Sequence, residues 1–156
     1  MFSVFKLSNC IELNNYEKDY LYEILNEAQK HAEFAWLDQL NLKNLNIKEC
    51  PEMMYTEIMG AFTPLSPRTI YLQRIMQPST ELHTFWLEFI FPTVIHELRH
   101  MLQFKKSPLL YCLCAIPGIR NLTLERDAEK QELLAEDFIL EFCLNKGYIR
   151  KENVKS

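Results

Sequence analysis

Residues 91–104 read FPTVIHELRHMLQF, and His96, Glu97 and His100 stand in a run that is otherwise mainly apolar. The apolar residues around them recur at the spacing of a helix that packs into a core. Burying two imidazoles and a carboxylate without partners would cost several kcal/mol. The stretch therefore predicts a core helix whose polar groups share a binding partner.

A metal ion is the partner that best suits the spacing of these residues. His96 and His100 are four positions apart, so both rings lie on one face of a helix and can reach one ion at about 2.0–2.1 Å. Glu97 lies about 100° round the helix, where it can reach the water on that ion rather than the ion itself. This is the HExxH pattern, and it predicts a zinc site with Glu97 as the catalytic base.

The third ligand must come from elsewhere, because a catalytic zinc ion uses three protein ligands and keeps one position open for water. His83 would lie about 20 Å from His96 along the helix and on another face, unless Pro92 reverses the chain. No histidine follows His100. A carboxylate or a thiolate is therefore expected.

An acidic run, LERDAEKQELLAED at residues 124–137, opens a further predicted helix and carries four glutamates on one face. We expect Glu132 and Glu136 to form a solvated acidic face, as such runs usually do. Glu125 and Glu129 lie beside apolar positions, so the first turn can face inward. One of the two would then bind zinc, and the other would accept a hydrogen bond from a ligand histidine.

HExxH followed by a helix that carries E-x-x-x-D/E, with alanine just before the last acid, resembles the gluzincin group of zinc metallopeptidases. The layout is similar to the small ImmA/IrrE-type peptidases and to minimal M48-like domains. The resemblance implies that Glu125 is the third zinc ligand and that Glu129 corresponds to the second acid. It also implies a zincin-like α+β domain in which an extended substrate peptide adds to an edge strand within GAFTPLSPRTIYL, residues 60–72.

Two features depart from the gluzincin pattern. Arg99 replaces the glycine that commonly precedes the second histidine, and Glu129 replaces the usual aspartate. Nothing in the sequence marks the residue that stabilises the oxyanion, for which Tyr71, Tyr111 and Tyr148 are candidates.

The expected activity is that of a zinc-dependent metalloendopeptidase. Zinc held by His96, His100 and Glu125 would polarise the scissile carbonyl and lower the pKa of its water toward about 7. Glu97 would take the proton of that water and pass it to the leaving amine.

The alternative is a catalytically inactive domain that keeps zinc for stability and acts as a protein-interaction module. A fourth protein ligand would favour this alternative, whereas an open water position would favour catalysis.

A different enzyme class, the peptide deformylases, also uses HExxH and takes an upstream cysteine as the third ligand. Cys50 lies in about the right part of the chain. Its surroundings, KECPEM at residues 48–53, do not match the cysteine motif of that class. We therefore favour a carboxylate as the third ligand.

The whole chain, residues 1–156, is expected to form one domain, because no linker, repeat or low-complexity tract divides it. A long N-terminal helix is predicted from about residue 16 to about 40, and the last helix from about 124 to 145, with Gly147 after it. A small mixed sheet is expected from LNIKE (45–49), MMYTEI (53–58) and RTIYL (68–72). RTIYL is expected near an exposed edge of that sheet.

Composition narrows the partners and the compartment. The net charge of −4 and the scattered basic residues give no electrostatic footprint for nucleic acid, so a protein or peptide substrate is the expected partner. Five cysteines without framework spacing, together with an N-terminus that lacks signal-peptide regions, predict reduced thiols and a cytoplasmic protein.

The most apolar segment is PLLYCLCAIPGI, residues 108–119, and proline and glycine interrupt it. We expect a buried strand or core loop, with Cys112 and Cys114 packed inside it, rather than association with a membrane. The sequence does not indicate an oligomeric state.

Overall fold

The computed structural model describes residues 9–51, 53, 59–73, 83–114 and 122–147, and within these ranges the fold is mixed α+β. The expected strand MMYTEI lies outside the described residues except for Met53. The helices are α1 (Asn15–Ala28), α2 (His83–Lys106), α3 (Pro108–Cys114) and α4 (Leu122–Asn145), and the strands are β1 (Ile11–Glu12), β2 (Asn46–Cys50), β3 (Gly60–Phe62) and β4 (Thr69–Gln73).

The four strands form one sheet in the order β1-β2-β4-β3. β2 and β4 run parallel, whereas β1 pairs antiparallel with β2, and β3 pairs antiparallel with β4. The prediction that RTIYL lies near an edge is wrong, because β4 lies between two strands and its first four residues are buried. Pro64 and Pro67 precede β4 in the loop, so neither removes a hydrogen bond from the sheet. Among the strands that the structure describes, β3 is the edge on this side of the sheet.

The predicted N-terminal helix is shorter than expected. Helix α1 begins after Asn14, whose side chain accepts a hydrogen bond from the backbone nitrogen of Glu17 at 2.8 Å, and it ends at Ala28. A 3₁₀ segment, Ala32–Gln39, follows. Its buried residues, Phe34 and Leu37, are three positions apart, which is the repeat of a 3₁₀ helix.

Helices α2 and α4 pack against each other beside the sheet and form much of the core. Helix α2 runs without interruption through Pro92, so the chain does not reverse there and His83 stays far along the helix from His96. On α4, Ala128 and Ala135 are fully buried, and small side chains at these positions let the two helices approach closely. The predicted end of α4 is confirmed, with Gly147 at φ 74° after the last turn.

A disulfide joins Cys10 to Cys50, so the prediction that all five thiols are reduced is wrong for this pair. The pairing of Ile11 with Glu49 across β1 and β2 brings the two cysteines opposite each other, with their Cα atoms 4.3 Å apart. The other three cysteines are free thiols.

The apolar segment after α2 also differs from its prediction. Residues 108–114 form helix α3, in which no residue is buried, and Leu109 is 74% exposed. Cys112 is exposed and Cys114 is half-buried, so neither is packed in the core. Residues 115–119 of this segment lie outside the described residues. Among the helices of the described chain, none is long and apolar enough to cross a membrane.

Candidate metal centre

The two histidines of the HExxH sequence point at one position between α2 and α4. His96 and His100 lie one turn apart on α2, and their Nε2 atoms are 3.2 Å apart. Glu125, in the first turn of α4, reaches the same position: its Oε1 is 3.0 Å from His96 Nε2, and its Oε2 is 3.2 Å from His100 Nε2. These three side chains form a group that could hold a metal ion. They are the three ligands predicted from the sequence.

Hydrogen bonds orient the other nitrogen of each imidazole. His96 Nδ1 lies 2.7 Å from Glu132 Oε2, and because a carboxylate only accepts, Nδ1 is the donor. His100 Nδ1 lies 2.8 Å from Gln103 Oε1. The amide nitrogen of Gln103 donates to two oxygens of α4, which identifies its Oε1 as the acceptor for His100. Both rings therefore carry a proton on Nδ1 and turn Nε2 toward the shared position.

A cation at the shared position would satisfy all three side chains. A neutral imidazole with a proton on Nδ1 has a lone pair on Nε2, and a carboxylate offers only lone pairs. Such acceptors repel one another at these distances unless protons or a metal ion lie between them. Ligands about 2.0–2.1 Å from a tetrahedral zinc ion lie about 3.3–3.4 Å from one another, close to the distances of this group. The three residues could therefore hold a metal ion.

Without a metal, burial, hydrogen bonds and neighbouring charges shift the pKa values of the cluster. Burial lowers the pKa of His96, but hydrogen bonds to Glu125 and Glu132 outweigh burial and raise that pKa to about 10. Burial also lowers the pKa of His100, and Glu125 and Glu97 outweigh it, so that this pKa is raised too. Hydrogen bonds from the two imidazoles hold the pKa of Glu125 far below its ordinary value. Protons and a metal ion would therefore compete for the same nitrogens.

A polar clamp of Arg99, Gln103 and Asp127 holds the first turn of α4 against α2. Arg99 Nε and Nη2 donate to Asp127 Oδ2 at 2.6 Å and to Oδ1 at 3.1 Å, which makes a bidentate pair. Gln103 Nε2 donates to Asp127 Oδ2 and to the main-chain oxygen of Leu124, each at 2.9 Å. The clamp places Glu125 beside the histidines. It also gives a structural role to an arginine at a position where the gluzincin pattern has glycine.

Glu97 is buried on the side of α2 that faces strand β3. It is 8% exposed, and burial raises its pKa to about 7 against the opposing charges of the two histidines. Gly60 of β3 lies next to it, because a Cβ added to Gly60 would be 3.3 Å from Glu97 Oε1 and only 2.5 Å from Thr93 Cγ2. Glycine therefore allows the edge strand to lie directly against the motif.

Two acidic residues of α4 differ from their predicted positions. Glu132, expected on a solvated face, contacts His96, whereas Glu129, expected beside the site, is exposed. On a helix, position i+7 lies about 20° from position i, while i+4 lies about 40° away on the other side. Glu132 thus stays on the side of α4 that faces α2. Because the two helices run antiparallel, a residue farther along α4 meets the earlier histidine of α2.

Two contributors to the site are not identified in the sequence analysis. Gln103 lies three residues after His100, a spacing that puts both on one face of α2, and this is the signal that could have identified it. Gly60 appears in the sequence as a break between strands. An isolated glycine within a strand pattern also indicates close approach of a backbone, which is its role here.

Replacing Glu132 with glutamine should weaken zinc binding by about 10–100-fold, the usual cost of losing a carboxylate partner of a ligand histidine. Glu129→Gln is the matched control, since it makes the same change at an exposed position of the same helix and should leave the affinity nearly unchanged. Competition with a chromophoric chelator measures both affinities. Equal weakening in the two variants would mean that only the net charge of α4 matters, and would contradict the role of Glu132.

A thiolate ligand from Cys50, as in deformylases, does not occur in this structure because Cys50 is bonded to Cys10.

No protein-family model matches this chain, and comparisons with curated proteins and with solved structures give no match either. The function must therefore be inferred from the chemistry of the site.

Proposed function

We propose that this protein is a zinc-dependent metallopeptidase with a zincin-like fold, and that it hydrolyses peptide bonds in extended protein segments. One observation carries the proposal: the Nε2 atoms of His96 and His100 and the carboxylate of Glu125 converge on one position, beside the buried Glu97. Two imidazoles and a glutamate are a donor set found in catalytic zinc sites.

The number of converging ligands favours catalysis over the alternative of an inactive interaction module. Structural zinc sites are usually closed by four protein ligands, whereas catalytic sites have three and keep one position open. Within the described ranges, no fourth histidine, cysteine or acidic residue belongs to the group of His96, His100 and Glu125. An open position is what a water molecule or a substrate carbonyl would require.

Each neighbouring residue has a role in the proposed reaction. A bound zinc ion would polarise the scissile carbonyl and lower the pKa of a water molecule. Glu97 accepts a proton from this water and delivers it to the leaving amine. Glu132 and Gln103 keep Nδ1 of the two histidines protonated, so that both Nε2 atoms remain available to the metal.

The edge position of strand β3 is the observation that favours an extended protein segment as the substrate. It lies at the end of the described sheet, where it pairs with β4 on one side. The backbone groups on its other side can pair with an added strand. Since Gly60 lies against Glu97, a peptide added to β3 would pass close to the proposed base.

Tyr111 is the tyrosine best placed to stabilise the oxyanion. Its ring lies 5.9 Å from that of His100, and burial together with the charges of Glu97 and Glu125 raises its pKa above the ordinary value. Tyr71 is instead buried in a separate cluster with Cys50. The third candidate from the sequence, at position 148, lies outside the described residues.

Replacing Tyr111 with phenylalanine should reduce kcat by about 10²–10³-fold, the usual effect of losing one oxyanion donor, while KM and zinc content change little. Tyr71→Phe removes a hydroxyl at a buried position of β4, away from the metal centre, and should leave kcat nearly unchanged. Steady-state kinetics and elemental analysis of both variants give the comparison. A larger loss in the Tyr71 variant, or unchanged kcat in the Tyr111 variant, would contradict the assignment.

Removal and return of the metal test the proposed function itself. The purified protein should contain one zinc ion per chain, and it should cleave members of a library of internally quenched peptides. A chelator should reduce cleavage to background, and zinc should restore it, whereas magnesium should not, because two imidazoles suit zinc better than magnesium. Bound zinc without cleavage of any peptide would favour the interaction module. Absence of zinc binding would contradict both hypotheses.

A further inference from the structure

A cavity lies between α2 and the segment that follows the 3₁₀ helix, and no residue of the metal centre lines it. Its volume is about 280 Å³, close to the lower limit of small-molecule pockets. The apolar residues of its wall come from the segment after the 3₁₀ helix and from α2: Leu40, Leu42, Leu45, Leu98, Met101 and Phe104.

The cavity is separate from the metal centre because none of the residues that line it belongs to that centre. On α2, positions 98, 101 and 105 fall within about 60° of one another. His96 and His100 lie about 160° from Leu98 on the same helix. A molecule in the cavity would therefore contact α2 without touching the metal ligands.

The rim of the cavity is positively charged, although the protein as a whole is acidic. The chain has 21 acidic residues and a net charge of −4, yet no acidic side chain is among the described residues that line the cavity. Arg68 and Lys105 both line it and both are exposed. Lys105 Nζ donates to the main-chain oxygen of Gln39, which is a neutral acceptor, and it has no ion pair with a residue in the described ranges. Arg68 has no ion pair with any residue described by the structure.

We propose that this cavity binds a free aliphatic carboxylate, an acid with a linear hydrocarbon chain. The hydrocarbon chain would lie against Met101, Phe104 and the neighbouring leucines, and burying it would be favourable in proportion to the apolar area removed from water. The carboxylate would lie at the rim, where Arg68 can form a bidentate pair with it and Lys105 adds a second positive charge. A cationic amphiphile would be repelled by the same two residues, and an inorganic anion would leave the apolar wall uncovered.

Calorimetric titration of the metal-free chain, residues 1–156, tests the proposal. Octanoate is the probe; acetate has the same charge without the chain, 1-octanol has the chain without the charge, and octylamine has the opposite charge. Octanoate should bind at one site, and each of the other compounds at least about ten-fold more weakly. Binding of 1-octanol as tightly as octanoate would overturn the proposal, because the charges at the rim would then have no role. No detectable octanoate binding would overturn it as well.

Substitutions of exposed basic residues test where the carboxylate binds. Arg68→Gln should weaken octanoate binding by about ten-fold or more, because a charge-assisted hydrogen bond is lost. Lys43→Gln is the matched control, since this exposed lysine belongs to the same part of the fold but does not line the cavity. Equal affinities in these two variants would overturn the proposed position of the carboxylate.

A protein C-terminus that ends in an aliphatic residue also offers a carboxylate next to an aliphatic group. An acetylated peptide ending in leucine is therefore titrated beside octanoate, and tighter binding of the peptide would replace the free acid as the ligand and overturn the proposal. All titrations use metal-free protein. Their result does not depend on whether the chain is a peptidase, and loss of peptidase activity in any variant would not mimic it.

Discussion

Glu97→Gln should retain zinc and lose peptide hydrolysis by about 10²–10⁴-fold, the contribution expected of a general base. Glutamine has the size of glutamate, so the packing of Gly60 against this side chain is preserved. It has no basic oxygen that could accept a proton from water at neutral pH. Parallel measurements of kcat/KM and of zinc per chain separate the base from the ligands.

Glu136→Gln is the control for the Glu97 variant, because it removes one negative charge at an exposed position of α4. It should leave both zinc content and kcat/KM nearly unchanged. If Glu97→Gln instead loses its zinc, Glu97 is a ligand and the proposed mechanism fails. If it retains both zinc and full activity, another residue is the base.

Glu125→Gln should lose most of the bound metal. Loss of a direct ligand should weaken zinc binding by more than the roughly 10–100-fold that removal of a hydrogen-bonding partner costs. The same change should remove the stabilisation that zinc gives to the folded chain, which is about 4 kcal/mol when free zinc is 1,000 times its dissociation constant. Elemental analysis measures the first effect, and thermal unfolding with and without zinc measures the second.

The control for Glu125 is Glu129, the other glutamate that the sequence leaves open as a ligand. Glu129 is exposed in the structure, so Glu129→Gln should keep its zinc and its zinc-dependent rise in Tm. Retention of zinc by the Glu125 variant and its loss by the Glu129 variant would reverse the assignment. Retention by both would mean that a residue outside the described ranges completes the site.

The helices of the site are accessible to sequence reasoning because their apolar spacing is regular. The apolar residues around His96 and His100 have helical spacing, and the continuous helix α2 confirms it. The apolar positions next to Glu125 predict that its side of α4 faces the interior. These features depend on residues within a few turns of one another, where helix geometry alone decides which side chains are neighbours.

Features that depend on distant parts of the chain were predicted less well. The choice of Glu132 over Glu129 as the partner of His96 depends on the antiparallel packing of α4 on α2, and no local pattern contains that information. The pairing of Cys10 with Cys50 likewise depends on β1 lying beside β2, across a sequence separation of 40. The internal position of β4 follows from its partners in the sheet rather than from its own alternation.

The close contact at Gly60 has a consequence for evolution. A methyl group there would overlap Thr93, which is β-branched and buried and therefore has little freedom to move. Divergent descendants of this chain should thus keep glycine at this place even where the rest of the strand has changed. A glycine at the start of a short strand, upstream of a pair of histidines four apart, would then mark a common ancestry that overall sequence identity no longer reveals.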